Sequence, residues 1–137
     1  MEKQVKKLLF AFVLFTTPAM ADINIVVSKK HQSMEIYQDG ELLDVWPVST
    51  ARKGFITPTG TFNVQSMESM HYSRLYDMSP MPWSIFFNGN IAIHGTPHVG
   101  NLGRPASHGC VRLSPTNAAI LYDIVRGNRN ETTITIK

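Results

Sequence analysis

The chain has 137 residues, a length that fits one compact domain with a hydrophobic core of its own. It carries 13 basic and 10 acidic side chains, but three of the basic residues and one of the acidic residues lie within the first 21 positions. The remaining chain is therefore close to neutral, with 10 basic and 9 acidic residues. It has no basic stripe of the kind that binds nucleic acid and no second apolar segment that could span a membrane.

Residues 1–21 predict a signal peptide that is removed on export. Three lysines precede an apolar core at residues 8–15, and Ala19-Met20-Ala21 forms a small-residue cleavage site. The apolar core is too short to cross a bilayer, which disfavours the alternative of an uncleaved membrane anchor. Cleavage before Asp22 would leave residues 22–137 as a single exported domain.

The first half of this domain predicts a meander of short strands. The runs with β-branched and aromatic residues are residues 23–27, 34–37, 42–48 and 61–64. Asp39-Gly40 is a hairpin signal between the second and third runs, and residues 54–60 form a loop punctuated by glycine and proline.

Residues 66–83 sustain neither a helical nor a strand period. Methionines, aromatic residues and prolines alternate there without order. Two interpretations stay open: an adaptable flap over a binding site, or a long loop whose apolar side chains pack onto the core. His71, like His31, is predicted to be a surface residue.

The next elements predict a hairpin that ends at a histidine. Residues 83–87 and 90–93 read as two strands, and Asn88-Gly89 is expected to join them in a type I′ turn. His94 would then stand at the end of the second strand, at the mouth of a loop.

After Leu113 the sequence predicts its only convincing helix. Ser114 is a typical N-cap residue, and Pro115 is favoured at the first helical position. The expected apolar face consists of Ala118, Leu121, Tyr122 and Val125. Gly127 is expected to end the helix, and residues 132–136 predict a closing strand.

Residues 94–112 hold the side chains that can carry chemistry. They include the only cysteine, Cys110, and three of the five histidines. A cysteine that follows Ser107-His108-Gly109, with His94 sixteen positions upstream, is typical of a thiol nucleophile with an imidazole base. An unpaired cysteine is unusual in an exported protein, and catalysis would explain it. From the residues alone, either His94 or His108 could be the base.

Two neighbours of the cysteine support this interpretation. Gly109 lets the backbone take unusual dihedral angles and is expected to leave main-chain N–H groups free for an oxyanion hole. Arg112 would lie on the same side of an extended segment as Cys110, where its charge favours the thiolate and can bind a carboxylate. Arg104 is a candidate for adding to this positive field.

A zinc site is the metal alternative, because Cys110, His94, His98 and His108 are all possible ligands. A pair of histidines spaced as His94 and His98 are usually binds metal from one face of a helix, and Gly95-Thr96-Pro97 is a poor helix. We therefore expect no metal, and we take His98 as a loop residue near the site.

This stretch resembles the L,D-transpeptidase catalytic domain family of the YkuD type. The family's signature is a His-Gly pair, a glycine-bearing loop and then Ser-His-Gly-Cys-(Val/Ile)-Arg, which correspond here to residues 94–96 and 107–113. Residues 47–50 and 57–62 resemble the family's upstream strand and turn elements. The resemblance implies a mainly β, single-domain fold over residues 22–137, sandwich or barrel-like, with one helix after the cysteine segment.

The resemblance also implies a role for individual residues. Cys110 would be the nucleophile, His94 the base and the carbonyl of Gly95 the group that orients it. The residues implied to bind or support the substrate are Ser107, His108, Gly109, Arg112, Thr96, Tyr72 and Trp83. No cofactor is implied.

The substrate implied by the resemblance is a peptidoglycan tetrapeptide stem. Cys110 would attack the L-centre carbonyl of the third residue, release D-Ala and hold the stem as a thioester. The acceptor would be an amine: a second stem in a 3-3 cross-link, a free D-amino acid or a lipoprotein lysine. With water as acceptor, the enzyme would be an L,D-carboxypeptidase or related hydrolase.

We expect a monomer in the bacterial periplasm or cell envelope, without nucleic-acid partners or a membrane span after processing. The non-enzymatic alternative is a peptidoglycan-binding protein that keeps the fold without turnover. The presence of the cysteine, histidines and arginine together disfavours it, because function depends on the site rather than on the fold.

Overall fold

The computed structural model describes residues 20–137, so the predicted signal peptide lies outside the described residues except for Met20 and Ala21. The elements of this part are β1 (Ile23–Ser28), β2 (Ser33–Gln38), β3 (Glu41–Pro47), β4 (Gly60–Asn63), β5 (Ser66–Ser73), β6 (Ser79–Asn88), β7 (Ile91–Gly95), β8 (Val111–Leu113), α1 (Pro115–Gly127) and β9 (Thr132–Ile136). Short 3-10 turns occur at Val99–Asn101 and Arg129–Glu131. Across residues 20–137, no helix has the length and apolar character needed to cross a membrane.

The strands form two sheets that share one hydrophobic core. One sheet has the order β3-β2-β1-β9-β4, and the other has the order β5-β6-β7-β8. Neighbouring strands are antiparallel, except that β1 is parallel to β9 and β7 is parallel to β8. Ile25, Ile85 and Leu121, which come from the two sheets and the helix, are fully buried in the same cluster. The predicted mainly β fold with one helix after the cysteine segment is confirmed.

The strands at the centre of the first sheet show why this sequence folds as it does. In β1, Ile23, Ile25 and Val27 are fully buried, whereas Asn24 between them is exposed. Strand β9 alternates in the same way, and Ile134 lies opposite Ile25 in the sheet. Burying each such side chain contributes roughly 1.5–3 kcal/mol relative to exposure, so the period of two fixes which face meets the core.

Helix α1 begins as the sequence predicts. The Ser114 hydroxyl accepts a hydrogen bond from the Asn117 N–H at 3.1 Å, and Pro115 occupies the first helical position. On the predicted face, Ala118, Leu121 and Val125 are buried and Tyr122 is half-buried. The helix ends at Gly127, as predicted, and the Asn128 side chain caps it by donating to the Ile124 carbonyl at 2.9 Å.

The interpretation of residues 66–83 as a long loop packed on the core is wrong, whereas the flap over a binding site stays a prediction. These residues are not a loop. They form β5 and the first half of β6, joined by a turn in which Asp77 and Met78 have φ of 52° and 55°. Strand β5 is at the edge of its sheet and has no buried residue, so it lacks the apolar alternation by which strands are recognised. Pro80 and Pro82 of β6 lie opposite Tyr72 and Met70 of that edge strand.

The turn between β6 and β7 also differs from its prediction. Asn88 pairs with Ile91, so the two turn residues are Gly89 and Asn90 rather than Asn88 and Gly89. Only Gly89 has a positive φ, of 58°, whereas a type I′ turn needs positive φ at both central positions. An irregularity in pairing between Phe86 and Asn88 shifts the register and moves the turn by one residue.

Candidate active site

A cavity of about 500 Å³ lies between the β5–β6 hairpin, the end of β7 and the segment before β8. Its lining includes the following residues that the sequence singled out: His94, Thr96, His98, Ser107, His108, Gly109, Cys110 and Arg112. The two halves of the sequence motif therefore meet at one site.

Parallel pairing of β7 and β8 brings these halves together. His94 lies opposite Arg112, and Gly95 lies opposite Leu113. Cys110 immediately precedes β8, so its position follows from the same pairing. The Thr96 N–H donates to the Leu113 carbonyl at 2.9 Å and extends this contact beyond the end of β7.

His94 is buried, with only 6% of its surface exposed. Its Nδ1 lies 2.7 Å from the Gly95 carbonyl oxygen, which can only accept a hydrogen bond. Nδ1 therefore carries the hydrogen in the neutral ring, and Nε2 keeps a free lone pair. Burial lowers the pKa of His94 from 6.5 to about 4, so the ring is neutral at neutral pH.

Gly95 is the position where the helix touches the strand that carries His94. A Cβ at Gly95 would lie 3.2 Å from the Cα of Pro115, 3.2 Å from Cγ of Pro82 and 3.3 Å from the Cβ of Ala118. Only glycine allows α1 to pack this closely against β7. The helix thus holds the backbone whose carbonyl orients His94.

The Cys110 sulfur accepts a hydrogen bond from the Ala92 N–H at 3.5 Å and lies 3.8 Å from the Asn90 carbonyl oxygen. Burial raises the pKa of the Cys110 thiol above its ordinary value, while the Ala92 N–H and the charge of Arg112 act in the opposite direction. Burial has the larger effect. The charge of Arg112 favours the thiolate, as expected, but it does not outweigh burial, so Cys110 is favoured as a neutral thiol beside the neutral His94 ring.

Ser107 organises the backbone around the cysteine. Its hydroxyl donates to the Cys110 carbonyl at 2.5 Å and accepts from the Gly109 N–H at 3.1 Å. The Gly109 N–H is therefore not free for an oxyanion hole, and any main-chain donor for one must come from its neighbours. Gly109 has φ of 144°, and a Cβ there would lie 3.2 Å from the Ile56 carbonyl oxygen, so this close approach requires glycine.

His108 contacts two aromatic rings, one stacked and one tilted. Its ring centroid lies 4.1 Å from that of Tyr76 and 4.6 Å from that of Phe55. Burial lowers the pKa of His108, and the charges of Arg52 and Arg112 lower it further. The sequence analysis missed Tyr76 and Phe55, because neither belongs to a motif and their contact with His108 depends on how two distant loops fold.

The structure places Tyr72 and Trp83 away from the cavity lining. Tyr72 is 49% exposed on the edge strand, and Trp83 packs against Tyr122 of the helix at 5.3 Å between ring centroids. The tyrosine of the hairpin that lines the cavity is Tyr76, and Phe86 of β6 lines it as well. The implied contact of Tyr72 and Trp83 with substrate is therefore corrected.

His71 was predicted to lie on the surface, but it is half-buried and lines the cavity. Its Nδ1 lies 2.6 Å from a Glu68 carboxylate oxygen, and its ring meets Phe86 edge-on at 5.0 Å. His31 is exposed, as predicted.

The charged side chains on the lining are both positive. They are Arg74, from the hairpin turn, and half-buried Arg112, whose Nη1 donates weakly to the Ala106 carbonyl at 3.5 Å. Arg104 lies outside the lining and donates to Asn101 Oδ1 at 2.8 Å. Within residues 20–137, no carboxylate side chain lies on this cavity, so it favours anionic ligands.

The zinc alternative receives no support from the arrangement of its candidate ligands. Although His94, His98, His108 and Cys110 line one cavity, no three His, Cys, Asp or Glu side chains of the described chain are grouped so that they could hold a metal ion. Thr96, next to them, is buried and accepts from the His98 N–H at 3.1 Å through its hydroxyl.

Comparison with known proteins gives consistent results. The family model of the L,D-transpeptidase catalytic domain (YkuD) matches residues 22–136. The chain is similar to the solved structure of an L,D-transpeptidase from Mycobacterium smegmatis, with 28% identity, a TM-score of 0.78, and coverage of 85% of this chain and 59% of that chain. It is also similar to L,D-transpeptidase LdtMt1 in complex with imipenem, with 25% identity, a TM-score of 0.77, and coverage of 85% and 59%. No curated protein matches the chain significantly.

A third similar structure is an L,D-transpeptidase from Stackebrandtia nassauensis, with 25% identity, a TM-score of 0.75, and coverage of 85% of this chain and 55% of that chain. The chain thus spans between 55% and 59% of the length of these three proteins. The family match covers all nine strands and the helix of the described part. The cysteine motif, the two-sheet fold and this match agree that the chain belongs to the L,D-transpeptidase catalytic domain family.

Proposed function

We propose that this chain is an exported, cysteine-dependent L,D-transpeptidase that acts on peptidoglycan stem peptides. The observation that carries the proposal is the state of His94, which is neutral, with Nδ1 engaged by the Gly95 carbonyl and on the same cavity as Cys110. Such a ring can accept a proton at Nε2 without changing its orientation.

In the first half-reaction, the Cys110 thiol proton moves to Nε2 of His94 as the sulfur bonds to the L-centre carbonyl carbon of the third stem residue. The carbonyl π electrons move onto oxygen and form a tetrahedral intermediate. When it collapses, the bond to the terminal D-Ala nitrogen breaks, and that amine leaves with the proton from His94. The product is a thioester on Cys110.

In the second half-reaction, an acceptor amine gives a proton to His94 and attacks the thioester carbon. The carbon–sulfur bond breaks, and His94 returns the proton to Cys110. The same sequence with water as acceptor releases a tripeptide stem and makes the protein an L,D-carboxypeptidase. Both outcomes use the same residues, so the products distinguish them.

The charge of the cavity supports a peptidoglycan donor. Stem peptides carry several carboxylates, and the lining offers Arg74, Arg112 and four histidines without a competing carboxylate side chain from residues 20–137. A cavity of about 500 Å³ is within the range of ordinary ligand sites. We further propose that tetrapeptide stems are preferred over pentapeptide stems as donors.

The test is incubation of purified mature protein with tetrapeptide and pentapeptide muropeptides, followed by separation of products by mass. We expect loss of D-Ala from tetrapeptides, formation of 3-3 cross-links or exchanged stems, and no effect of a chelator. Cys110→Ala is the matched control and should give no products. Activity that a chelator removes and zinc restores would overturn the proposal, and tripeptides as the only product would assign a hydrolase.

A further inference from the structure

Thr57 connects the loop before β4 to the cysteine segment from outside the cavity. It is 2% exposed, and it does not lie on the cavity lining. Its hydroxyl donates to the Gly109 carbonyl at 2.7 Å and accepts from the Ala51 N–H at 2.9 Å. The hydroxyl therefore both donates and accepts a hydrogen bond, and these two contacts fix the rotamer of Thr57.

This contact determines the orientation of the peptide bond between Gly109 and Cys110. The peptide is trans, so its C=O and N–H point in opposite directions. Because the C=O points to Thr57, away from the cavity, the Cys110 N–H points to the opposite side. Gly109 and Cys110 both line the cavity, whereas Thr57 does not.

Two backbone groups beside the cysteine are already occupied by Ser107. Ser107 accepts from the Gly109 N–H and donates to the Cys110 carbonyl. Among the hydrogen bonds of residues 20–137, none engages the Cys110 N–H. The cysteine's own N–H is thus a donor that remains available next to the sulfur.

We propose that Thr57 is a positioning residue: by holding the Gly109 carbonyl, its hydroxyl aims the Cys110 N–H at the oxygen of the carbonyl under attack. The proposal rests on the proposed function only in requiring that Cys110 takes an acyl group. When the Cys110 sulfur bonds to the carbonyl carbon, the π electron pair moves to oxygen, and the aimed N–H donates to that anion. Thr57 itself does not touch the substrate.

A comparison of two reactions of the same cysteine tests this role. Acylation by a carbapenem builds an oxyanion, whereas alkylation by iodoacetamide displaces iodide at a CH₂ carbon and builds none. The time course of each is followed by intact mass in wild-type protein, Thr57→Val, Thr57→Ala and Thr57→Ser. Thr59→Val is the matched control, because the Thr59 hydroxyl contacts Lys29 at 2.6 Å and not the cysteine segment.

We expect Thr57→Val and Thr57→Ala to acylate about 10- to 100-fold more slowly, somewhat less than the ~10²–10³-fold cost of removing an oxyanion-hole donor outright. Their alkylation rates should stay within about twofold of wild type, since that reaction uses only the sulfur. Thr57→Ser keeps the hydroxyl and should restore acylation, and Thr59→Val should match wild type in both reactions.

Three results would overturn the role of Thr57: wild-type acylation in both hydroxyl-free variants, a parallel fall of acylation and alkylation, or loss of folding in both variants by circular dichroism. The last two would assign the hydroxyl to the fold rather than to the reaction. Failure of the proposed function is a separate result, because the wild-type protein would then take no acyl group from a carbapenem or a tetrapeptide.

Discussion

At the scale of single residues, the feature that governs the chemistry is that His94 and Cys110 are both uncharged. Burial lowers the pKa of His94 to about 4 and raises the pKa of the Cys110 thiol. A resting thiolate–imidazolium pair would need shifts in the opposite directions. We therefore expect proton transfer from sulfur to Nε2 to accompany attack on the substrate rather than to precede it.

Substitutions at the three candidate residues should follow their proposed roles. Cys110→Ala and Cys110→Ser should leave only background acylation by a carbapenem, because the first has no nucleophile and a hydroxyl is hardly ionised near neutral pH. His94→Ala should lose ~10²–10⁴-fold, and His108→Ala should lose less. Intact mass of each folded variant over time measures this. If His108→Ala is inactive while His94→Ala reacts, the base is the other histidine.

The buried His94 should also make stability depend on pH. The unfolded chain, with a His94 pKa of 6.5, binds this proton more tightly than the folded protein, with a pKa of about 4. The contribution of His94 to the free energy of unfolding is therefore fully present above pH 6.5. It decreases by about 3 kcal/mol as the pH falls towards 4. Urea unfolding of wild type and His94→Gln at pH 7 and pH 4.5 isolates the contribution of His94 to the free energy of unfolding. An equal decrease in both proteins between the two pH values would contradict the prediction.

At the scale of elements, the β5–β6 hairpin and the loop before β4 meet over His108. The turn of the hairpin contributes Tyr76, which stacks on the imidazole ring, and the loop contributes Phe55, which is tilted against it. This arrangement places aromatic surface at the rim of the cavity, next to the positive charge of Arg74. The hairpin therefore shapes the site although its edge strand has no fully buried residue.

Tyr76→Ala should weaken substrate binding more than it slows chemistry. Stacked aromatic pairs contribute about 0.5–1.5 kcal/mol beyond their buried area, so KM for a tetrapeptide should rise about 2- to 10-fold with kcat little changed. Tyr72→Ala alters a tyrosine of the same hairpin that lies outside the cavity lining, and its KM should change less than about twofold by the same reasoning. Steady-state kinetics of both variants decides between the two tyrosines.

The contact between α1 and β7 gives a second prediction at this scale. Gly95→Ala would place a Cβ 3.2 Å from the Pro115 backbone, so the helix must move away from the strand. We expect a stability loss of about 1–3 kcal/mol and slower acylation, since the carbonyl that orients His94 moves too. Gly100→Ala is the control, because a Cβ there meets nothing within 4 Å. Wild-type acylation in folded Gly95→Ala would contradict the orienting role.

At the scale of the whole molecule, Ala21 and Asp22, which flank the predicted cleavage site, both contact distant parts of the domain. Ala21 is buried, and its N–H donates to Asn128 Oδ1 at 2.8 Å, while the Asp22 nitrogen lies 3.0 Å from Asp39 Oδ1. Cleavage before Asp22 would remove the first contact and create a charged amino group beside the Asp39 carboxylate. The attraction between these two charges would offset part of the stability lost with the Ala21 hydrogen bond.

We therefore expect the exported protein to begin at Asp22. Edman sequencing or intact mass of protein recovered from the periplasm checks this. Asp39→Asn should lower the stability of the processed protein, because its charged Asp22 amino group lies beside residue 39. The same substitution should not lower the stability of a variant that retains Ala21 with a blocked amino terminus, because that variant has no such charge. Envelope protein that retains Met1 would contradict cleavage.

Several parts of the fold could be predicted because their causes are local. The alternation in β1 and β9, the Ser114 cap and the apolar face of α1 depend on neighbouring residues alone, and all three are confirmed. The motif residues around Cys110 were likewise identified from their spacing, and they line one cavity, although their catalytic roles stay predictions. The edge strand β5 could not be recognised, because without a buried face it has no period to detect.

By itself, therefore, the sequence determined the resemblance to the family, which implied the mainly β fold and His94 as base. The residue types around Cys110 indicated a thiol nucleophile but left His94 and His108 both open as its base. Only the tertiary structure decided the charge states of His94 and Cys110, because a pKa depends on burial by residues far along the chain. It also decided that Tyr76 rather than Tyr72 lines the cavity, and that Thr57 holds Gly109 across 52 positions of sequence. Contacts of that span arise only when the two sheets close around their core.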